Sequence, residues 1–104
     1  MQGDLLREEA LERLKRAHAL FIEGALLVVA RVARWQATLT SDDVWSAMPE
    51  GLSTPEPRAL GAVMRQGARD GLIQPTESWV LSTRAVCHRR PLRVWTSRIY
   101  EKRT

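Results

Sequence analysis

The sequence is poor in the residues from which metal sites and many active sites are built. It contains one cysteine, Cys87, and two histidines, His18 and His88. A single cysteine excludes an internal disulfide and is typical of proteins in a reducing cytosol. A zinc site needs three or four ligands, and adjacent Cys87 and His88 lack such partners. We therefore expect a non-enzymatic protein with no catalytic residues, no cofactor and no metal ion.

Long apolar runs are also missing. The longest is Ala25–Ala30, whereas a helix needs about 20 apolar residues to span a bilayer. The first nine residues carry acids where a secretion signal would need a basic start and an apolar run. The 104 residues, 44% of them apolar, are enough for one domain with a single core. We expect a cytoplasmic protein that binds neither a membrane nor a small-molecule substrate.

Positive charge is concentrated in the second half of the chain. Residues 1–52 hold six Lys and Arg against eight Asp and Glu, a net charge of −2. Residues 53–104 hold ten against four, a net charge of +6. Such asymmetry indicates a polyanionic partner for the second half, and nucleic acid is the first candidate.

The segment from Leu5 to about Trp35 has no proline and is predicted to be helical. Apolar residues and one histidine recur along it at alternating intervals of three and four, as in a coiled coil. Two interpretations remain open, and both can hold together. In the first, this is one long helix, continuous or broken near Gly24, whose second half is buried in its own domain. In the second, the first half pairs two copies of the chain through a seam of Leu11, Leu14, His18 and Phe21.

Two shorter helices are predicted to follow. Thr40 to Asp43 fits a capping box, and Asp42 and Asp43 suit the positive end of a helix dipole. A second helix is predicted over residues 57–70, where Gly71 would provide a left-handed C-cap. Leu60, Val63, Met64 and Gly67 would form its inward stripe, and Gly61 and Gly67 would permit close approach of a neighbouring helix.

The outer face of the helix over residues 57–70 carries arginines. Arg58, Arg65 and Arg69 share that face, with Gln66 beside it. Arginine can bind guanine through O6 and N7 in the major groove, and glutamine can bind adenine through N6 and N7. On this reasoning Arg58 and Arg65 read bases and Arg69 contacts phosphate. The alternative is a solvated surface face without function.

After Gly71 the apolar residues alternate with a period of two instead of the helical period. This pattern indicates strands at residues 72–73, 79–81 and 92–95, and the last is interpreted as an edge strand. Residues 82–90 are predicted to be a loop, so that two strands and a basic loop form a wing. Trp79 is expected in the core. Phosphates are the natural partners of the clustered positive charge, although a solvated loop is the alternative. The cationic candidates are Arg84, His88, Arg89, Arg90 and Arg93.

Several segments together resemble the winged helix-turn-helix superfamily, and more narrowly small winged-helix proteins encoded by bacteriophages and prophages. They are LTSDDVW (39–45), PRALGAVM (57–64), GLI (71–73) and RVW (93–95). The resemblance implies a mainly α fold of the α+β type, with a three-helix core and a C-terminal β-hairpin wing. It covers residues 20–97 and leaves residues 1–19 as a helical extension, a candidate dimerisation segment, and residues 98–104 as a basic tail.

The resemblance implies double-stranded DNA binding by a regulator or by a replication or recombination factor in a bacterial or phage-infected cell. The helix over residues 57–70 would enter the major groove, and the wing would hold phosphates. A non-enzymatic protein-interaction module, such as an inhibitor or adaptor on the same scaffold, is the alternative, because fold analogy does not select a function.

Overall fold

The chain folds into three α-helices and a three-stranded antiparallel sheet over residues 2–54, 56–84 and 89–102, which the computed structural model describes. In chain order the elements are α1 (Gln2–Trp35), β1 (Thr38–Leu39), α2 (Ser41–Ala47), α3 (Ala59–Arg69), β2 (Ile73–Leu81) and β3 (Pro91–Ser97). The strands lie in the order β1-β3-β2. The expected α+β content is confirmed.

Helix α1 is continuous over 34 residues and has no break at Gly24. Its second half forms one wall of the core, where Phe21 and Ala25 are buried. Its first half is different, because residues 6–20 are all exposed. The apolar run in the second half is not buried on every side, since Leu27 is 73% exposed. Helix α1 is therefore both a core helix and an extension beyond the core.

Helix α2 begins at the predicted capping box. The backbone N–H of Thr40 donates a hydrogen bond to Oδ2 of Asp43 at 2.7 Å, which satisfies a backbone donor at the helix start. Val44 is fully buried, and Trp45 stacks on Phe21 with 6.1 Å between ring centroids. The short helix is thus fixed to α1 by its apolar side.

Helix α3 is shorter than the predicted helix over residues 57–70. Hydrogen-bonded turns precede its first residue, and the backbone N–H of Ala59 bonds to the carbonyl of Glu56 at 3.0 Å. The C-cap is as predicted: Gly71 has φ +81°, and the N–H of Leu72 reaches back to the carbonyl of Gly67 at 2.9 Å. A left-handed residue at this position is favourable for glycine, which has no Cβ.

The inward stripe of α3 is confirmed, since Leu60, Val63, Met64 and Gly67 are all buried. A Cβ at Gly67 would lie 3.4 Å from a methyl group of Val29 on α1. The same expectation for Gly61 is wrong. Gly61 is exposed, and the nearest atom to a Cβ there would be a guanidinium nitrogen of Arg65 at 3.5 Å.

Strand β2 is one strand with an irregularity rather than two short strands. Pro75 pairs with Trp95 and Trp79 pairs with Arg93, so β2 contains two more residues than β3 between these pairs. The hydroxyl of Thr76 donates to the carbonyl of Val94 at 2.6 Å and holds the bulge against β3. The bulge explains why no simple alternation runs through the segment.

Strand β3 is the middle strand and not an edge strand. Its second neighbour is β1, where Leu39 pairs with Trp95. Strand β1 was not predicted, because two residues are too few to show an alternating pattern. Leu39 is buried and Trp95 is partly buried against the core, so this short strand joins the sheet to the helices.

Candidate nucleic-acid interface

The exposed side of α3 carries the predicted arginines. Arg58 occupies the N-cap position, and Arg65 and Arg69 follow on the solvent side of the helix. All three are exposed, opposite the buried stripe that packs on α1. The amphipathic pattern therefore orients the arginines away from the core.

Two of the predicted contact residues bond to each other near the end of α3. A guanidinium nitrogen of Arg69 (Nη2) donates to Oε1 of Gln66 at 2.7 Å. Nε2 of Gln66 donates to Oδ1 of Asp70 at 2.8 Å. This chain of hydrogen bonds orders the end of the helix, so Gln66 and Arg69 would have to exchange these bonds to bind another group.

An open cleft of about 310 Å³ lies between the starts of α2 and α3 and the wing. Three arginines from different segments line it: Arg58 from the start of α3, and Arg84 and Arg90 from the two sides of the wing loop. Its apolar lining includes Trp45, with the guanidinium carbon of Arg84 5.0 Å from that ring centroid. Arg58 and Arg90, which are 32 positions apart in the sequence, therefore line the same cleft.

A carboxylate of α2 holds the base of the wing. Oδ2 of Asp42 accepts hydrogen bonds from the hydroxyl of Ser82 at 2.8 Å and from the backbone N–H of Thr83 at 3.0 Å. Ser82 is only 3% exposed, and its backbone N–H bonds to the carbonyl of Arg90 at 2.8 Å. Asp42 thus does more than favour the helix dipole, because it joins α2 to the first side of the wing loop, which Ser82 joins to Arg90 on the other side.

Asp42 also affects the electrostatics of the cleft. Its second oxygen, Oδ1, is buried and accepts no hydrogen bond in the part of the chain that the structure describes. This negative charge lies on the wall shared with Arg58, Arg84 and Arg90. The cleft is positive on balance, with three cations against one anion.

The remaining wing residues differ in their surroundings. Arg89 has φ 58°, a left-handed conformation that is uncommon outside glycine, and its side chain is exposed, as is that of Arg90. Arg93 is half-buried within β3, where its guanidinium donates to the carbonyl of Thr76 at 2.6 Å. His88 lies outside the described residues, as does Cys87. Because it bonds to Thr76, Arg93 is the one of these described candidates that has a structural role in the hairpin.

Trp79 is not a core residue, contrary to expectation. It is 55% exposed on the edge strand β2, and its neighbours Val80 and Leu81 are 45% and 58% exposed. The guanidinium carbon of Arg93 lies 4.6 Å from the Trp79 ring centroid. Residues 79–81 therefore form an exposed apolar segment on the edge strand of the sheet.

The predicted dimerisation residues divide into two groups. Leu11, Leu14 and His18 are exposed. Phe21 is 1% exposed and stacks on Trp45, so its place in an intermolecular seam is wrong: the chain's own α2 covers it. The boundary between extension and core on this face of α1 therefore lies between residues 18 and 21.

The described residues contain no group of three or more His, Cys, Asp and Glu side chains that is arranged to hold a metal ion. Among them there is also no helix of the length and apolarity that crossing a membrane requires. Comparisons with protein-family models, curated proteins and solved structures give no match for this chain.

Proposed function

We propose that this chain is a non-enzymatic, double-stranded DNA-binding protein with a winged helix-turn-helix fold. The order of elements supports the fold assignment, because a helix and a short strand precede two helices and a β-hairpin. The sheet order β1-β3-β2 brings the first strand beside the last, as this architecture requires. On this proposal α3 is the recognition helix and residues 82–90 form the wing.

The observation that carries the proposal is the convergence of Arg58, Arg84 and Arg90 around one cleft. Arg58 belongs to the start of α3, and the N-terminal part of a recognition helix is where base contacts concentrate. Arg84 and Arg90 belong to the wing, whose natural target is the phosphate backbone. One duplex with its major groove on α3 would place base edges at Arg58 and a strand of phosphates along Arg84 and Arg90.

The position of each arginine determines which part of the DNA it contacts. Arg58 and Arg65 are exposed along α3 and bind guanine edges in the major groove. Arg89 and Arg90 are exposed in the wing and bind phosphates. Such a protein acts in regulation, replication or recombination in a bacterial or phage-infected cell.

The test is a titration of a random 25-base-pair duplex, followed by fluorescence anisotropy at 50 mM and 200 mM salt. Binding that weakens steeply with salt is expected, because each released counterion contributes to the slope. An Arg58→Ala, Arg90→Ala double variant should bind more weakly and with a shallower slope. Arg31→Ala, which removes an exposed arginine from the outer face of α1, is the control and should bind like the parent. No binding at 50 mM salt would refute the proposal.

A protein-interaction module is the second candidate, and the exposed segment Trp79–Leu81 favours it. Contiguous apolar side chains on an edge strand are typical of sites that bind another chain. This candidate predicts no DNA affinity at low salt. It also predicts that a Trp79→Ser, Leu81→Ser variant loses its protein partner while the arginine variants retain it.

A further inference from the structure

Among the α1 leucines whose side chains the structure describes, five are more than half exposed, and four of them lie on two opposite sides of the helix. Leu11 and Leu14 are 51% and 60% exposed, and Leu20 and Leu27 are 64% and 73% exposed. At about 100° per residue, Leu11 and Leu14 continue the line of the buried core stripe, whereas Leu20 and Leu27 face the opposite side. Leu6 lies between the two sides.

The side with Leu11 and Leu14 borders a groove. A cavity of about 240 Å³ is lined by Leu14, Ala17 and His18 on α1 and by Ser53, Thr54 and Glu56 in the connection between α2 and α3. From Phe21 onward the same side of α1 is covered by the chain's own domain. The side of α1 with Leu11, Leu14 and His18 thus continues the line of the core stripe and is exposed in the described chain.

We propose that this surface binds the same surface of a second copy of the chain, with the two α1 helices antiparallel. The direction follows from steric exclusion. A parallel partner lying on this side would run into α2 once it passed residue 21, because α2 occupies that side. An antiparallel partner with residue 11 facing residue 14 passes residue 21 only with its first helical turn, and its domain lies in the other direction. The exposed overlap is residues 6–19, a length of about 21 Å.

The surface is self-complementary in this arrangement, as a two-fold interface must be. Leu11 of one copy lies opposite Leu14 of the other, which gives two equivalent apolar layers about the axis. Glu8 and Lys15, both exposed, occupy equivalent flanking positions of the 3–4 repeat. In the antiparallel pair, each Glu8 lies near Lys15 of the other copy, whereas a parallel pair lacks this match. This charge pairing favours a second copy over an unrelated partner.

Sedimentation equilibrium over a wide range of protein concentration tests the interface. The measurement needs no DNA, so its result is independent of the proposed function. The overlap is short and belongs to the weak class of interfaces below about 1,200 Å². We expect a reversible dimer that Leu14→Asp weakens at least about tenfold, since it would place a charge in an apolar layer. Leu20→Asp, a leucine of similar exposure on the opposite side, should dimerise like the parent.

Both aspartate variants should keep the parent's circular dichroism, because both leucines are exposed. A parent that stays monomeric throughout would overturn the proposal. Dissociation by Leu20→Asp but not by Leu14→Asp would also overturn it.

Disulfide cross-linking tests the direction. In a Cys87→Ser background, Leu11→Cys and Leu14→Cys proteins should each cross-link poorly alone and well when mixed, because residue 11 meets residue 14 of the other copy. A parallel pair would instead cross-link each variant with itself. Charge exchange adds an independent check: Glu8→Lys and Lys15→Glu should each weaken the dimer, and their combination should restore it. Efficient cross-linking of the single variants, or no restoration, would contradict the antiparallel arrangement.

Discussion

Asp42 and Ser82 are forty residues apart in sequence and 2.8 Å apart in the fold, where the serine hydroxyl donates to the carboxylate. The same oxygen of Asp42 accepts the backbone N–H of Thr83. Ser82 is buried and its own N–H bonds to Arg90 across the hairpin. One carboxylate therefore fixes the position of the wing relative to α2 and α3.

Asp42→Ala should destabilise the protein and loosen the base of the wing. It leaves the buried Ser82 hydroxyl without this acceptor, and such an unsatisfied group costs about 1–3 kcal/mol, whereas the exposed Thr83 amide can bond to water instead. We expect a loss of about 2 kcal/mol in the free energy of unfolding, measured by urea denaturation. Hydrogen exchange of the Thr83 amide should accelerate in the same variant.

A serine pair provides the control for the Asp42 contact. Ser82→Ala removes the buried hydroxyl and should lose part of the same stability, whereas Ser53→Ala removes an exposed one and should change little. In a double-mutant cycle, Asp42→Ala and Ser82→Ala should be non-additive because they remove one interaction. Additive effects would show that the contact does not contribute as described.

Arg93→Ala should lower stability, unlike alanine substitution of the wing arginines. Arg93 donates to the carbonyl of Thr76 and lies over the ring of Trp79. A cation–π contact at an exposed site contributes about 0.5–1 kcal/mol, and the hydrogen bond adds about 0.5–1.5 kcal/mol. Thermal unfolding should show a lower midpoint for Arg93→Ala and an unchanged midpoint for Arg89→Ala. Equal midpoints would mean that Arg93 does not support the bulge.

The features that the sequence predicted correctly depend on neighbouring residues. The capping contact between Thr40 and Asp43, the left-handed Gly71 and the inward stripe of α3 all act within one or two helical turns. Such signals recur at fixed spacing and can be read without knowing the fold. They were sufficient to predict three helices and a hairpin.

The features that it missed depend on contacts between distant segments. Nothing near Asp42 shows that its partner is Ser82, and nothing near Phe21 shows that Trp45 covers it. Trp79 is of a residue type common in cores, yet it is exposed because it lies on the edge strand of the sheet, a position that the sequence around it does not show. The sequence alone therefore could not show whether a residue such as Phe21 or Trp79 lies in the core, at a dimer seam or on the surface.

Two glycines in helices should respond differently to alanine. Gly61 is exposed, and a Cβ there would make only an ordinary contact with a guanidinium nitrogen of Arg65 at 3.5 Å, so Gly61→Ala should stabilise the protein by up to about 1 kcal/mol through helix propensity. At Gly24 a Cβ would lie 2.8 Å from a methyl group of Leu52, and overpacking of this kind costs about 1–3 kcal/mol. In chemical denaturation, the free energy of unfolding should therefore be higher for Gly61→Ala than for the parent, and lower for Gly24→Ala than for Gly61→Ala. Adding Leu52→Ala to Gly24→Ala should remove the clash, and a purely additive result would argue against it.

Arg65→Ala and Arg89→Ala should separate sequence reading from phosphate binding, if a specific site is first selected from a random duplex pool. Arg65 lies on the exposed face of α3, so its loss should cost about 1–3 kcal/mol at one position of the site and relax the preference there. Arg89 lies in the wing, so its loss should weaken specific and random duplexes alike and reduce the salt slope by about one. Competition assays at several salt concentrations measure both quantities. If both variants weakened all sequences equally, α3 would contribute only charge, and the assignment of Arg65 to base reading would be wrong.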